Sequence, residues 1–218
     1  MPNQRGHRGV ISLFESASYP APSPQEIEAF VATQFCGKVI ATAPGGLPHV
    51  SILPFVPQAD GFEVHMVRGD PTLDALEATG RGAFLLDEPL AFTPHHVVSA
   101  DHGGMATLHF RAVLFQVHGG VDGDPRHVAA ALERLLLRYE PDSLWSPVTD
   151  GPLYGRDLRR LAVARLRTVG VEAKFKVAQN RTPEDRGRLL AFLRTRGLPG
   201  DARAVRVIQE ANGLADDT

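Results

Sequence analysis

The 218-residue chain has little with which to cross-link itself: a single cysteine, Cys36. One thiol forms no internal disulfide and supplies no cysteine cluster for a metal. Placed before Gly37 at a strand start, it reads as a small buried apolar residue. Aromatic residues make up 7%, with one tryptophan, Trp145. In the proline-rich stretch from Pro141 to Pro152, Trp145 reads as a packing anchor. No apolar run is long enough to span a bilayer, and Met1 to Val10 lacks the apolar centre of a signal peptide. A cytoplasmic chain without membrane segments is the expectation.

Signatures of known chemistries are missing too. There is no Gly-x-Ser-x-Gly nucleophile elbow and no glycine-rich phosphate loop of the P-loop or Rossmann kind. His95, His96, Asp101, His102 and His109 are types that bind metals. No pair of them has the i, i+4 spacing of a helical zinc site, and Gly103-Gly104 marks the segment as a polar loop. Neither a catalytic residue nor a metal site is expected.

What is present suits an ordinary globular protein. Hydrophobic residues make up 43% and charged ones 22%, enough for one sizeable core and one domain over 1–218. The net charge of −2 does not suggest a nucleic-acid binder. Residues 156–206, however, hold 14 of the 23 Lys and Arg and 5 of the 25 acids, a surplus of +9. That segment reads either as arginines on solvated helix faces or as a basic face for phosphate or nucleic acid.

A capping side chain before a proline occurs four times: Ser23-Pro24, Asp70-Pro71, Asp124-Pro125 and Thr182-Pro183. The cap oxygen accepts a free N–H of the first turn, where proline loses nothing. Ser23 and Glu26 add capping-box spacing. Apolar stripes follow each signal, as in Val128, Leu132, Leu135 and Leu136, so four helices start there. A fifth is expected near Ala202 to Ala211, giving a helical C-terminal segment from about 182. Strands are expected over Lys38–Ala43, His49–Val56, Phe62–Arg68, Gly82–Leu86, His95–Ser99 and His109–His118. A last pair covers Ala162–Thr168 and Val171–Ala178, and Ala215 to Thr218 reads as a loose end. Meandering strands with few inserted helices predict an α+β fold built on an antiparallel barrel rather than a doubly wound sheet.

Two segments carry candidate binding residues. In the strand-like run through Lys174 and Lys176, both ammonium groups fall on one face, a clamp for phosphate or carboxylate or else a solvated edge. Gln179, Asn180 and Arg181 add donors before the helix that Thr182 caps. Arg68 ends a strand immediately before the helix capped by Asp70. A helix N-terminus suits an anion, but the Asp70 carboxylate would repel one.

The run Lys174-Phe175-Lys176-Val177-Ala178-Gln179-Asn180-Arg181, with Pro183-Glu184-Asp185-Arg186, resembles the C-terminal signature of the PaiB-type FMN-binding negative transcriptional regulators. Weaker likenesses follow in the family's order: Leu13-Phe14-Glu15, Pro48 to Phe55 with Ser51 and Leu53, His65 to Pro71 with Arg68, and Pro94-His95 with Ser99. The resemblance implies an antiparallel split β-barrel with peripheral helices, related to the FMN-binding pyridoxamine phosphate oxidase-like barrels. It also implies a homodimer with FMN at the subunit interface, acting to repress transcription.

On this resemblance the cofactor-binding residues are Ser51, Leu53, His65, Arg68, Thr107, Lys174, Lys176, Gln179 and Asn180. The chain departs from the family where Ala106 to Phe110 replaces a Pro-Thr-Trp-Asn-Tyr element. Thr107 survives, while Leu108 and His102 stand where the family has tryptophans, so FMN should be held weakly or not at all. The alternatives are a flavin-dependent oxidoreductase or flavin reductase, and a degenerate dimer with no cofactor. No helix-turn-helix is recognisable, so a regulatory DNA or protein partner is left open.

Overall fold

The computed structural model describes residues 12–13 and 18–215. The readings on Met1 to Val10, on Phe14 and Glu15, and on the final residues after Ala215 lie outside the described residues. All four cap–proline signals start helices: α1 (Pro24–Thr33), α2 (Pro71–Thr79), α3 (Pro125–Tyr139) and α5 (Pro183–Arg196). A single turn, α4 (Gly155–Leu158), precedes α5, and α6 (Asp201–Ala211) is the expected fifth helix. Asp70, Asp124 and Thr182 each accept a first-turn N–H, from Thr72, Arg126 and Asp185. Ser23 and Glu26 close the capping box reciprocally, at 2.7 and 3.3 Å.

Seven strands form one sheet, β1 (Gly37–Thr42), β2 (Pro48–Leu53), β3 (Val56–Gln58), β4 (Gly61–Val67), β5 (Arg81–Thr93), β6 (Thr107–Asp122) and β7 (Leu161–Lys176). Their order is β2-β1-β5-β6-β7-β4-β3. β1 and β2 join through a turn at Gly45, whose φ of 70° favours glycine, with Gly46 N–H donating to the Ala43 carbonyl at 3.0 Å. β4 pairs antiparallel with β7 from Gly61↔Arg167 to Val67↔Leu161.

Three strand expectations are corrected. The stretch His95–Ser99 is not a strand: His95–Val97 forms a 3₁₀ turn after extended Pro94, with Val98 and Ser99 N–H donating back to the His95 carbonyl. The expected pair at the end is the single strand β7, which runs through Gly170. A Cβ there would meet the Gln116 side chain at 3.0 Å, so this glycine makes room for a neighbour and turns nothing. The expected strand His49–Val56 is interrupted at Pro54, which has no N–H to give a ladder.

The chain divides into two compact units, each assembled from separated stretches. Unit 1 comprises residue 12 and the described residues of 30–86 and 114–172; unit 2 comprises those of 13–29, 87–113 and 173–215. In unit 1, Phe55, Phe62, Phe84 and Phe115 form a cluster with ring centroids 4.6 to 5.6 Å apart, three pairs edge-to-face and Phe62–Phe84 tilted. Trp145 packs with Leu132 and Leu136 against the buried Val128, Ala131, Val148 and Leu158, as an anchor should. In unit 2, α5 buries Leu189, Leu190 and Leu193, and α6 buries Ala204, Val205, Val207 and Ile208.

Candidate functional site

Each unit holds part of the residue set that the sequence nominated. Ser51, Leu53, His65 and Arg68 belong to unit 1; Thr107, Lys174, Lys176, Gln179 and Asn180 belong to unit 2.

In unit 1 two of the three polar candidates, Ser51 and Arg68, are already engaged. Ser51 Oγ lies 2.9 and 3.1 Å from the Asp70 carboxylate oxygens and 2.8 Å from Thr72 Oγ1. The same carboxylate accepts the Thr72 N–H at 2.7 Å, so the N-terminus of α2 already has its anion. Arg68 donates to two backbone carbonyls, Leu161 at 3.2 Å and Gly123 at 2.5 Å. Leu53 is half-buried at the end of β2, opposite Gly37. His65 is half-buried, and neither of its buried nitrogens has a hydrogen-bond partner among the described residues. Burial holds His65 below the usual histidine range, partly offset by the Glu63 carboxylate.

Unit 2 differs. Lys174 and Lys176 share a face of β7, as alternation requires, and both ammonium groups sit over the Tyr19 ring, 5.7 and 5.5 Å from its centroid. Asn180 Nδ2 donates to the Tyr19 hydroxyl at 3.3 Å. Tyr19 is the one member of this group that no local pattern pointed to. Gln179 closes the turn after β7: its Oε1 accepts the Val177 N–H at 2.8 Å, and its Nε2 donates to the Phe175 carbonyl. The turn holds Ala178 in the left-handed region, at φ 62°, which costs a non-glycine residue energy. Arg181 donates to the Met105 carbonyl at 3.1 Å. Arg186 donates to the carbonyls of Ala178 and Arg181 at 3.3 and 2.9 Å, tying the turn to α5.

Burial together with charge balance sets this turn apart: Arg156, Arg160, Arg167 and Arg206 also have no carboxylate partner among the described residues, but they are exposed, whereas Lys176, Arg181 and Arg186 are half-buried. Arg188 pairs with Glu184 and Asp185, Arg196 with Asp201, and Arg203 with Glu88, as solvated or structural pairs. Among the described residues no carboxylate pairs with Lys176, Arg181 or Arg186. Lys176 is held below the usual lysine range by burial and by Arg181. Beside them His109 is fully buried, its Nε2 3.1 Å from Thr93 Oγ1, and its Nδ1 has no partner among the described residues. Burial, then the Lys176 ammonium and Arg181, push its pKa down to about 4, with the Lys176 backbone offsetting part of the shift. Thr107 is buried two residues earlier on the same strand. Leu108, where the family has a tryptophan, is exposed.

This arrangement can attract an anion. Lys176 and Arg181, beside a neutral imidazole and with no carboxylate partner among the described residues, repel each other until a negative group enters. Among the described residues no group of three or more His, Cys, Asp or Glu could hold a metal. No helix among them is long and apolar enough to cross a membrane.

No family model and no curated protein matches the sequence. Solved structures do match. A flavocytochrome from Azotobacter vinelandii superposes with a TM-score of 0.57 at 18% identity, over 76% of this chain and 73% of that one. An FAD- and heme-binding protein from Mycobacterium smegmatis gives 0.57 at 16%, over 76% and 77%. A candidate 5-nitroimidazole antibiotic resistance protein from Bacteroides thetaiotaomicron gives 0.57 at 14%, over 78% and 95%. At these identities the likeness speaks for architecture alone, and the architecture is an antiparallel split β-barrel with peripheral helices.

Proposed function

We propose that this chain binds FMN and acts as a homodimeric negative regulator of transcription of the PaiB type. The observation that carries the reading is the unbalanced positive charge of Lys176 and Arg181 at the turn after β7. That turn lies within the run Lys174 to Arg181, which resembles the family's C-terminal signature. The split-barrel likeness to a flavocytochrome and to an FAD- and heme-binding protein supports a flavin as the ligand class.

The two halves of the nominated set fit a flavin phosphate unequally. The unit 2 residues fit: Lys176 and Arg181 would neutralise the phosphate, with Lys174 and Asn180 beside them. The unit 1 residues do not fit in their present bonding, because Asp70 occupies the α2 N-terminus and Arg68 serves backbone carbonyls. A bound flavin supplies a redox-active ring, and the protein's part is to hold its phosphate and shield that ring. With Leu108 in place of an aromatic, the grip on the ring is weak. Losing two aromatic contacts of about 0.5 to 1.5 kcal/mol each costs roughly ten- to a hundredfold in affinity.

Dimerisation is supported by apolar side chains on the edge strand β2, where Val50 and Ile52 are 56% and 64% exposed. DNA binding by the chain itself should be weak, sequence-independent and steeply salt-dependent.

Titration with FMN tests the reading. The protein should purify nearly colourless and gain thermal stability on adding FMN, and Lys176→Met should remove most of the gain. No stabilisation at millimolar FMN sinks the flavin assignment. A monomeric mass at micromolar concentration sinks the dimer. Consumption of NAD(P)H with added FMN would favour an oxidoreductase instead.

A further inference from the structure

Helix α5 contains a glycine that its own packing does not explain. Gly187 lies mid-helix, where glycine is less favourable than alanine. Its φ is not in the left-handed region, and a Cβ built there meets no atom within 4 Å, so neither backbone conformation nor a close neighbour requires glycine.

The space beside it is a cavity of about 290 Å³ in unit 2. One stripe of α5 lines it with Arg186, Gly187, Leu190 and Arg194, and Gln209 of α6 and Leu214 line it too. Gln209 is 3% exposed. Its Nε2 donates to the Ala215 carbonyl at 2.7 Å, but its Oε1 is buried without a partner among the described residues. A buried acceptor left unmade costs stability that a suitable donor would recover. Arg186 is held rigid by the carbonyls of Ala178 and Arg181, which use two of its five N–H groups and leave three.

We propose that the α5–α6 cavity is a binding site for a small carboxylate that also carries a hydrogen-bond donor, an amino acid or a hydroxy acid. The carboxylate takes the remaining Arg186 N–H groups. The ligand's N–H or O–H satisfies Gln209 Oε1, and its carbon skeleton lies against Leu190 and Leu214. The volume suits a molecule of this size, and the missing side chain at position 187 leaves the way in open. The site shares no residue with the nominated FMN set.

The test is a titration of the full chain, following the backbone amides of α5 and α6 by NMR. The probes are L-lactate and L-alanine, which carry both groups, and propionate, which lacks the donor. Lactate or alanine should shift the amides of Gly187, Leu190 and Gln209 saturably, with propionate weaker by about tenfold, the worth of one hydrogen bond. Gly187→Leu should block the cavity and abolish the shifts while leaving the melting temperature unchanged or higher, since the helix gains a better former. Gln209→Met should erase the preference for lactate over propionate. Arg186 is avoided as a first test because it also braces the turn after β7. Three outcomes overturn the proposal: no saturable shift with either acid, equal binding of propionate, or binding that survives Gly187→Leu in a folded protein.

Discussion

The two units treat charge in opposite ways. In unit 1 the charged groups near the nominated residues have partners of their own, and His65 is left with nitrogens unpartnered among the described residues: Asp70 holds Ser51 and the α2 N-terminus, Arg68 holds two carbonyls, and buried Glu63 accepts Arg134 at 2.8 and 3.1 Å. In unit 2, Lys176 and Arg181 stand together beside a neutral buried histidine with no carboxylate partner among the described residues. A region that satisfies itself is finished as it folds. Surplus charge favours an anion from outside, which is why the proposed flavin phosphate is assigned to the second set.

The comparison can be broken most sharply at Glu63, which is almost fully buried against half-exposed Arg134. Glu63→Ala should cost about 3 kcal/mol, the low end for breaking a buried pair because Arg134 can reach water. Urea unfolding should show the loss with or without FMN; a loss that FMN repairs would mean that unit 1 is ligand-dependent after all.

The next effect is acid sensitivity through His109. Its folded pKa of about 4 lies below the ordinary value of 6.5, so protons bind the unfolded chain more tightly. The stability it contributes is complete above pH 6.5 and is lost as pH falls from there through 4. By pH 5 the loss is roughly 2 kcal/mol. Comparing wild type with His109→Gln at pH 7.5 and 5 isolates it, since His65, also held down by burial, is common to both. Sulfate should flatten the wild-type slope by neutralising the two cations. Identical slopes in the two proteins would show that His109 does not titrate as its burial demands.

A smaller effect separates the two nominated cations. Lys176→Met should weaken FMN by about tenfold, about 1.4 kcal/mol, while Arg68→Ala should change it less. The reverse order would return the phosphate to unit 1. The least is Gly187→Ala, which should raise stability by about 1 kcal/mol through helix propensity alone.

Local physics made much of this legible. A cap oxygen and a proline act within one turn, so all four helix starts could be read directly, and alternation placed Lys174 and Lys176 on one face. The barrel class followed from the strand pattern and the family likeness. What stayed hidden depends on distant partners. Nothing near Lys176 announces Tyr19, 157 positions earlier in the chain. Asp70 looked like an obstacle to phosphate, but its bond to Ser51, which explains why it stays, spans strand and helix. The break expected between Thr168 and Val171 was not one, because the Gln116 side chain that needs the space at Gly170 is on another strand. The surplus charge at Lys176 could not be told from ordinary solvated arginines because its burial is set by packing around β7.

The pairing of β4 with β7 sets a timetable. Gly61 meets Arg167, and Val67 meets Leu161, so one flank of β4 has no partner until about a hundred further residues have been made. During synthesis that edge waits with its N–H and C=O groups open, in a chain whose ribosome adds roughly 5 to 20 residues per second. Such non-local pairing slows folding. Yield should therefore respond to growth temperature and chaperone supply more than to the melting temperature of the finished protein, and fragments ending before β7 should aggregate.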